Sequence, residues 1–289
     1  MYCSQLYKLV KSICKELNYG FKSYSSNWIL KITKTKKDHY IWGFQFPIDN
    51  ASTRMICDDK AAHYDILNEN KVPCFIHKYF FALPIDFKTP LALLKKYKKI
   101  VVKQNNGTGG KNIYKVCNEQ EMYDAINNIA AKSGRFSISP FYEYEYEYRI
   151  ILLNGKMKLC YKKIRPVVIG DGKKAIKDLI QPNITPTVDL EYVPKKNEVV
   201  QVSWKHNLGL GGIPEIVNDK KLLRQIYDLA IKAIKPLNIK FCSVDIAMVK
   251  NKLMVVEVNG GVMMEKFSSL NKQNYEIAKS IYKDAIESL

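Results

Sequence analysis

The sequence predicts an α+β fold built mainly from antiparallel sheets. Two segments have the pattern of β-hairpins: one turns at Asn154-Gly155, and the other joins two apolar strands through residues 250–252. Stretches with helical periodicity lie around these hairpins in irregular order, and no internal repeat is visible. Irregular mixing of hairpins and helices is typical of α+β proteins, because regular βαβ alternation would indicate a parallel sheet instead.

The first half of the chain supplies helices and one strand that ends in glycines. An amphipathic helix is predicted over residues 2–17, and the strand-like segments WILKI and IWGFQF follow it. The segment DDKAAHYDILNENKVP is predicted as a helix that Asp58 or Asp59 caps and that Pro73 closes. The strand KKIVVKQ then enters the turn NNGTGGKN, and EQEMYDAINNIAAK has helical periodicity.

The second half begins with PFYEYEYEYRII, residues 140–151, in which tyrosine and glutamate alternate. As an extended strand it would carry tyrosines on one face and Glu143, Glu145, Glu147 and Arg149 on the other. Beyond the Asn-Gly hairpin the sequence predicts a short helix in GDGKKAIKDLI and a glycine-rich loop in NLGLGGIPE. A long helix in DKKLLRQIYDLAIKAIK and a final helix over residues 274–288 complete the prediction.

The composition indicates an anionic partner. The formal net charge is +18 and the pI is about 9.4, but only five of the 46 basic residues are arginines. Nucleic-acid readers depend on arginine for bidentate contacts, so the predominance of lysine favours a solvated lysine-rich surface over a nucleic-acid patch. A phosphorylated small molecule is compatible with the charge.

The cysteines, histidines and apolar runs exclude several classes of protein. The seven cysteines are odd in number and dispersed, and the four histidines do not cluster with them, which argues against a disulfide framework and a zinc site. The N-terminus lacks the apolar core of a signal peptide, and no apolar run has membrane-spanning length. We therefore expect a cytoplasmic protein.

Three polar residues within the apolar C-terminal hairpin form the most specific pattern. Asp245 lies in the first strand, while Glu257 and Asn259 lie two apart in the second and so on one face. Hard oxygen ligands of these types suit Mg²⁺, which usually shares its shell with phosphates and water. Ordinary solvent-facing polar residues are the alternative for the pattern taken alone.

The turn NNGTGGKN could cradle phosphate. Gly107, Gly109 and Gly110 allow backbone N–H groups to turn toward one anion, and Lys103 and Lys111 flank them. The spacing is not that of a Walker A loop. Taken alone, the pattern favours a simple glycine turn between two strands.

The order of these features resembles the ATP-grasp carboxylate–amine ligases from about residue 58 to the end. RPVVIGDGKKAIKDLI and KHNLGLGGIPEIVND resemble the ATP-grasp region of cyanophycin synthetase and of bifunctional glutathione synthetases, and EVNGGVMMEKF resembles the metal-ligand strand of related bacterial ligases. The resemblance implies an ATP-grasp fold with two α+β lobes. It implies a small lobe over residues 58–139 and a large lobe over 140–289, after a short N-terminal region, 1–57, that corresponds to a truncated domain. A partner chain could then complete the substrate pocket.

The resemblance also implies the roles of individual residues. The phosphates and the nucleoside of ATP would contact Lys60, Lys103, Gly107, Thr108, Gly109, Gly110, Lys111, the hinge Pro140, Phe141, Tyr142 and Glu143, and Glu147, with Glu145 as the alternative to Glu147. Catalytic contacts to phosphoryl groups would come from Arg149, Lys162 or Lys163, and Arg165. Lys205, Asn207, Gly211 and Gly212 would line the acceptor side, and Asp245, Glu257 and Asn259 would bind Mg²⁺ or Mn²⁺.

The implied activity is ATP-dependent joining of a carboxylate to an amine, with small-molecule or peptide substrates and release of ADP and phosphate. Ser243 stands where D-alanine–D-alanine ligases carry an arginine, so that role would pass to Arg149, Arg165 or Lys205, or be lost. A small-molecule kinase with the same fold and a polyanion-binding protein on a degenerate scaffold are the alternatives. The sequence leaves open whether the protein is a homodimer.

Overall fold

The computed structural model describes residues 4–82, 84, 86–107, 109–182, 184 and 186–289. It confirms the α+β class: every pair of strands in the described ranges is antiparallel, apart from an isolated parallel bridge between Cys74 and Val255. Among the described helices, none is long and apolar enough to cross a membrane.

The N-terminal region forms a helix on a three-stranded sheet. Helix α1 (Ser4–Glu16) precedes strands β1 (Gly20–Tyr24), β2 (Ile29–Lys34) and β3 (Lys37–Trp42), which pair in that order. The apolar stripe of α1 is buried in one core with residues of the C-terminal helices α8 (Glu265–Ser269) and α9 (Lys272–Glu287). The N-terminal region therefore shares its core with the C-terminal end of the chain.

Two helices connect this region to the small lobe. Helix α2 (Ala51–Asp58) ends directly before α3 (Lys60–Glu69), and the Asp59 side chain between them caps α3 by accepting from the N–H of Ala62 at 2.9 Å. The domain boundary predicted after residue 57 falls within the last turn of α2.

The small lobe is a four-stranded sheet covered by two helices. Strands β4 (Lys78–Phe81), β5 (Ile100–Gln104), β6 (Ile113–Val116) and β7 (Arg135–Pro140) have the order β4-β7-β5-β6. Helices α4 (Lys88–Tyr97) and α5 (Glu119–Ala130) bury one face of the sheet. The other face carries Lys103, Ser137 and Ser139, because side chains alternate along β5 and β7.

The large lobe is centred on a five-stranded sheet of order β12-β9-β8-β13-β14. Its strands are β8 (Glu147–Leu153), β9 (Lys156–Ile164), β12 (Ile213–Ile216), β13 (Phe241–Val249) and β14 (Lys252–Asn259). Helix α7 (Lys220–Leu237), which Asp219 caps, buries one face of the sheet. The predicted hairpin turns are confirmed: Asn154, Gly155, Lys250 and Asn251 all have the positive φ that two-residue hairpin loops require.

An insertion lies between β9 and the edge strand β12. Strands β10 (Val167–Ile169) and β11 (Val199–Gln201) pair with each other, and the short helix α6 (Ile176–Leu179) packs beside them on a small apolar core. The insertion then returns to β12 through a single turn of 3₁₀ helix at Leu208–Leu210. It lies between the end of β9 and the loop that the sequence predicts on the acceptor side.

Candidate active site

The second face of the large sheet is shared between a core and a row of charged residues. At one end Ile151, Leu159 and Phe241 are buried under the N- and C-terminal helices. At the other end, strand register places Arg149 opposite Asp245, and Asp245 opposite Glu257. Neighbouring strands lie about 4.8 Å apart, so these three side chains stand side by side on one face.

Arg149, Lys163, Asp245 and Glu147 form a continuous network of buried ion pairs. Arg149 donates twice to the Asp245 carboxylate, from Nε to Oδ1 at 2.8 Å and from Nη2 to Oδ2 at 2.6 Å. The Lys163 ammonium lies 2.9 Å from Oδ2 of Asp245 and 2.5 Å from Oε1 of Glu147. One lysine therefore bridges two carboxylates, both of which are less than a tenth exposed.

The network keeps Asp245 and Lys163 charged in spite of burial. Burial alone would raise the pKa of Asp245, but Arg149 and Lys163 lower it below its ordinary value. For Lys163, burial and Arg149 lower the pKa, whereas Asp245 and Glu147 raise it above its ordinary value. The four groups therefore compensate one another, as buried charges must.

Tyr144 and His206 complete the surroundings of Glu147. The Tyr144 hydroxyl donates to Oε2 of Glu147 at 2.9 Å, and its ring stacks on the His206 imidazole with centroids 5.0 Å apart. Burial, and next the Glu147 charge, hold the pKa of Tyr144 well above its ordinary value, so the hydroxyl keeps its proton as a donor. Neither residue was predicted from the sequence, since nothing distinguishes Tyr144 from the other tyrosines of the repeat.

The strand predicted across the tyrosine–glutamate repeat is wrong for residues 141–146. Strand β7 ends at Pro140 and β8 begins at Glu147, so the intervening residues do not alternate as in a strand. Tyr142 stacks on Phe75 with ring centroids 4.0 Å apart, whereas Tyr144 reaches the same side as Glu147. Glu143 is exposed and lies 3.3 Å from Lys99. The segment is the connection between the two lobes. Its side chains therefore do not alternate between two faces as those of a strand would.

The glycine-rich segment is the loop between β5 and β6. Gly109 and Gly110 have φ of +68° and +75°, which favours glycine, and Thr108 lies outside the described residues. The Lys60 ammonium donates to the carbonyl oxygens of Gly107 at 2.7 Å and of Asn105 at 3.3 Å. Lys60 thus holds the first half of this loop, while Lys111 is exposed at its far end.

Lys103 lies on the face of the small-lobe sheet that is turned toward the charged residues of the large lobe. Burial, and next the Lys60 charge, lower the pKa of Lys103 to about 7, although Glu257 and Glu147 oppose the shift. Glu257 and Glu147 belong to the large lobe, so Lys103 lies within electrostatic reach of both. The two lobes therefore enclose a cleft with a lysine on one wall and carboxylates on the other.

The loop before β12 contacts the glycine loop across this cleft. The Lys205 ammonium donates to the carbonyl oxygen of Gly110 at 3.0 Å, and a Cβ placed on Gly110 would lie 2.9 Å from Oδ1 of Asn207. Gly211 has a φ of +93°, and a Cβ on Gly212 would lie 2.7 Å from the His206 carbonyl oxygen. Only glycine suits these two positions, because the chain reverses tightly there.

Lys162 and Lys163, predicted as alternative catalytic residues, lie on opposite faces of the sheet. Lys163 enters the cleft, whereas Lys162 pairs with the exposed Glu215 at 3.2 Å on the other face. Arg165 donates from Nε to Nε2 of His206 at 3.0 Å, and its Nη2 donates to the carbonyl oxygen of Tyr144. Arg165 therefore ties the insertion to the segment between the lobes.

Comparison with known proteins identifies the fold. The family described as "RimK-like ATP-grasp domain" matches residues 189–284. The bifunctional glutathione biosynthesis protein of Listeria welshimeri is 23% identical over 268 residues, covering 80% of this chain and 32% of the relative. The D-alanine–D-alanine ligase of Bacillus anthracis superposes with a TM-score of 0.59 and 16% identity over 83% of this chain and 68% of that one. The chain has the ATP-grasp fold, and its C-terminal third matches the RimK-like ATP-grasp family.

A second ATP-grasp structure covers nearly the whole chain. The bifunctional glutathione synthetase of Pasteurella multocida has a TM-score of 0.58 and 15% identity over 98% of this chain and 44% of its own. The chain thus spans about a third of the length of the curated relative and less than half of this structure. These likenesses confirm the fold predicted from the order of the motifs.

The residues predicted as metal ligands are neighbours but have different partners. Asn259 donates from Nδ2 to Oε1 of Glu257 at 3.3 Å, whereas both oxygens of Asp245 accept from Arg149 and Lys163. Within the described ranges, no three His, Cys, Asp or Glu side chains are grouped as a metal site. Glu257 and Asn259 supply oxygen ligands of the kind that Mg²⁺ prefers, and phosphate and water oxygens would have to supply others.

Proposed function

We propose that the protein is an ATP- and Mg²⁺-dependent ligase that joins a carboxylate to an amine. The observation that carries the proposal is the arrangement of the cleft. The buried network of Glu147, Lys163, Asp245 and Arg149 faces Lys103 and the glycine loop. Enzymes with the ATP-grasp fold use ATP, and this cleft offers cations and backbone N–H groups on one wall with oxygen ligands on the other.

In the proposed complex, different residues of the cleft contact the phosphates, the adenine and the ribose of ATP. The loop around Gly107, Gly109 and Gly110 would hold the phosphates, assisted by Lys60, Lys103 and Lys111. The segment from Pro140 to Glu143 would contact the adenine through its backbone. Glu147 would accept from the ribose hydroxyls, because it is a fixed carboxylate next to that segment.

The proposed reaction has two steps that need no protein nucleophile. A carboxylate oxygen of the substrate attacks the γ-phosphorus, ADP leaves, and an acyl phosphate forms. The amine nitrogen then attacks the acyl carbon, loses a proton and expels phosphate. Arg149, Lys163 and Arg165 would stabilise negative charge as it moves, so catalysis consists of positioning and electrostatic stabilisation.

A bound Mg²⁺ would neutralise the phosphates and orient the terminal one. Glu257 and Asn259 are the residues of this chain that would hold it. Asp245 would contribute mainly by fixing Arg149 and Lys163 in the cleft, since both its oxygens contact those cations. Amino acids or peptides are the proposed substrates, because the similar proteins are named as glutathione and D-alanine–D-alanine synthesising enzymes.

Trapping the acyl phosphate with hydroxylamine tests the proposal. The protein, Mg²⁺, ATP and a pool of free amino acids should yield ADP and a hydroxamate detectable by mass spectrometry. Glu257→Gln should lower the rate by about a hundredfold or more, because it would weaken the site for the Mg²⁺ that neutralises the phosphates. Glu215→Gln on β12 is the matched control and should react normally, since Glu215 is exposed and pairs with Lys162 outside the cleft.

The other outcomes distinguish the alternatives. A phosphorylated product that does not react with hydroxylamine would indicate a kinase and refute the ligase. Absence of ADP formation with every amino acid, together with steeply salt-dependent binding to nucleic acid, would support a polyanion-binding scaffold instead.

A further inference from the structure

Two aromatic rings and a lysine form a patch on the cleft face of the small-lobe sheet. Lys115 of β6 pairs with Val101 of β5, and both alternate with the core residues under α4 and α5, so they lie on the face that carries Lys103. The Lys115 ammonium lies 4.4 Å from the ring centroid of Phe141, and that ring contacts the Trp204 indole with centroids 5.7 Å apart. Lys115 is exposed and both rings are half-buried, so the patch is accessible to a ligand in the cleft.

The patch lies at the end of the cleft where the two lobes are connected. Phe141 follows Pro140, the last residue of β7, and its N–H donates to the carbonyl oxygen of Lys99 at 3.0 Å. Strand β5 runs from this connection, where Ile100 pairs with Pro140, past Lys103 to the glycine loop. A nucleotide that has its phosphates at the glycine loop and its adenine at the connection therefore has its base beside the patch.

Trp204 begins a short stretch of chain that also contacts the glycine loop. The ammonium of Lys205 donates to the carbonyl oxygen of Gly110 at 3.0 Å. Asn207 lies against the same glycine, since a Cβ placed on Gly110 would be 2.9 Å from its Oδ1. Residues 204–207 therefore contact the connection between the lobes at one end and the glycine loop at the other.

The Trp204 indole is the largest flat apolar surface of the patch. It meets the Phe141 ring at 73°, and no other ring of the described residues stacks flat on it. Nucleobases are flat and aromatic, and they bind proteins by stacking on aromatic side chains. The base is therefore the part of a nucleotide that this side chain suits.

From these contacts we infer that Trp204 binds the nucleobase of ATP by stacking, while Lys205 and Asn207 hold the glycine loop at the phosphates. Residues 204–207 would then be a nucleotide-binding segment that joins the base site to the phosphate site. Lys205 and Asn207 would act toward the nucleotide, in place of the acceptor role that the sequence resemblance implies for them. The inference rests on the proposed ATP-dependent activity and adds these contacts to it.

Calorimetric titration with adenosine, ATP and inorganic triphosphate, each in the presence of Mg²⁺, separates the base from the phosphates. Trp204→Leu should raise the dissociation constants of adenosine and ATP by about tenfold, as expected for the loss of one base–aromatic stack, and should leave that of triphosphate unchanged within about twofold. Trp204→Tyr keeps a ring and should retain most of the affinity. Trp42→Leu is the matched control, because Trp42 is 59% exposed in the N-terminal sheet, and it should bind all three ligands normally.

Tryptophan fluorescence gives a second readout that does not depend on the affinity. A stacked base quenches the emission of an indole, so ATP and adenosine should quench the native protein and Trp42→Leu. The same ligands at saturation should not quench Trp204→Tyr, which still binds them but has no indole at the site. Triphosphate should not quench any of these proteins.

The outcomes separate failure of the inference from failure of the proposed function. Native affinity for adenosine in Trp204→Leu, or quenching by ATP that survives in Trp204→Tyr, would overturn the role of Trp204 and leave the ligase intact. The second result remains decisive if Trp204→Leu does not fold. Absence of both ATP binding and hydroxamate formation in the native protein would overturn the inference and the proposed function together.

Discussion

Raising the pH above neutrality should weaken ATP binding through loss of the charge on Lys103. Burial and the nearby Lys60 lower the pKa of Lys103 to about 7, so its ammonium is charged below that pH and neutral above it. Phosphate binds the charged form. The affinity should therefore fall by about tenfold for each pH unit above the pKa, as the charged fraction does.

The same linkage predicts uptake of a proton on binding. A bound phosphate favours the ammonium and restores its charge, so at about pH 8 binding should take up about 0.9 proton, since only about a tenth of the Lys103 side chains are charged beforehand. Phosphate monoesters ionise near pH 6, so ATP itself contributes little at this pH. Isothermal titration calorimetry in two buffers of different ionisation enthalpy measures the uptake directly.

A pair of lysine variants in the small-lobe sheet identifies the group that titrates. Lys103→Met should lower the affinity and remove both the proton uptake and the pH slope. Lys78→Met, at an exposed position of β4, should change neither. Equal binding enthalpies in both buffers for the native protein, or an unchanged slope in Lys103→Met, would refute the reasoning.

Two further predictions concern the buried network. Lys163→Met should lower the free energy of unfolding by about 3–5 kcal/mol, because it leaves Glu147 and Asp245 without their shared cation, whereas Lys162→Met should cost less than about 1 kcal/mol. Denaturant titration measures both, and equal losses would contradict the assignment of Lys163 to the cleft. Glu147→Gln should weaken ATP binding by about tenfold through loss of a charged acceptor, whereas Tyr146→Phe should leave the dissociation constant unchanged within about twofold. The opposite order in a calorimetric titration would refute the ribose assignment.

Local patterns predicted most of the fold. The hairpin turns at 154–155 and 250–251, the glycine loop and the long helix α7 depend on neighbours in the sequence, and the structure has all of them. Strands β1, β4, β10, β11 and β12 and helices α2, α4 and α8 were not predicted. Strands β4, β10, β11 and β12 are three or four residues long, and β4 and β12 pair with strands distant in the chain. Such short sequences contain little of the information that places them.

The candidate site could be predicted only in part, for a similar reason. Residue type and spacing indicated Asp245, Glu257 and Lys103 as polar members of apolar strands. The spacing could not show that Lys163 rather than Lys162 enters the cleft, because the register of β9 decides it. It also could not show that Arg149 and Lys163 occupy the Asp245 carboxylate, since those contacts join strands that are distant in sequence.

The buried network of the large lobe has no net charge: two carboxylates, one ammonium and one guanidinium cancel. This network is therefore a polar surface that can orient an anion without attracting it from a distance. The attraction comes from the small lobe, where Lys60 and Lys103 repel each other until an anion lies between them and the opposite wall. An arriving polyphosphate would relieve this repulsion and draw the lobes together, so the charge of the ligand would itself favour the closed form of the cleft.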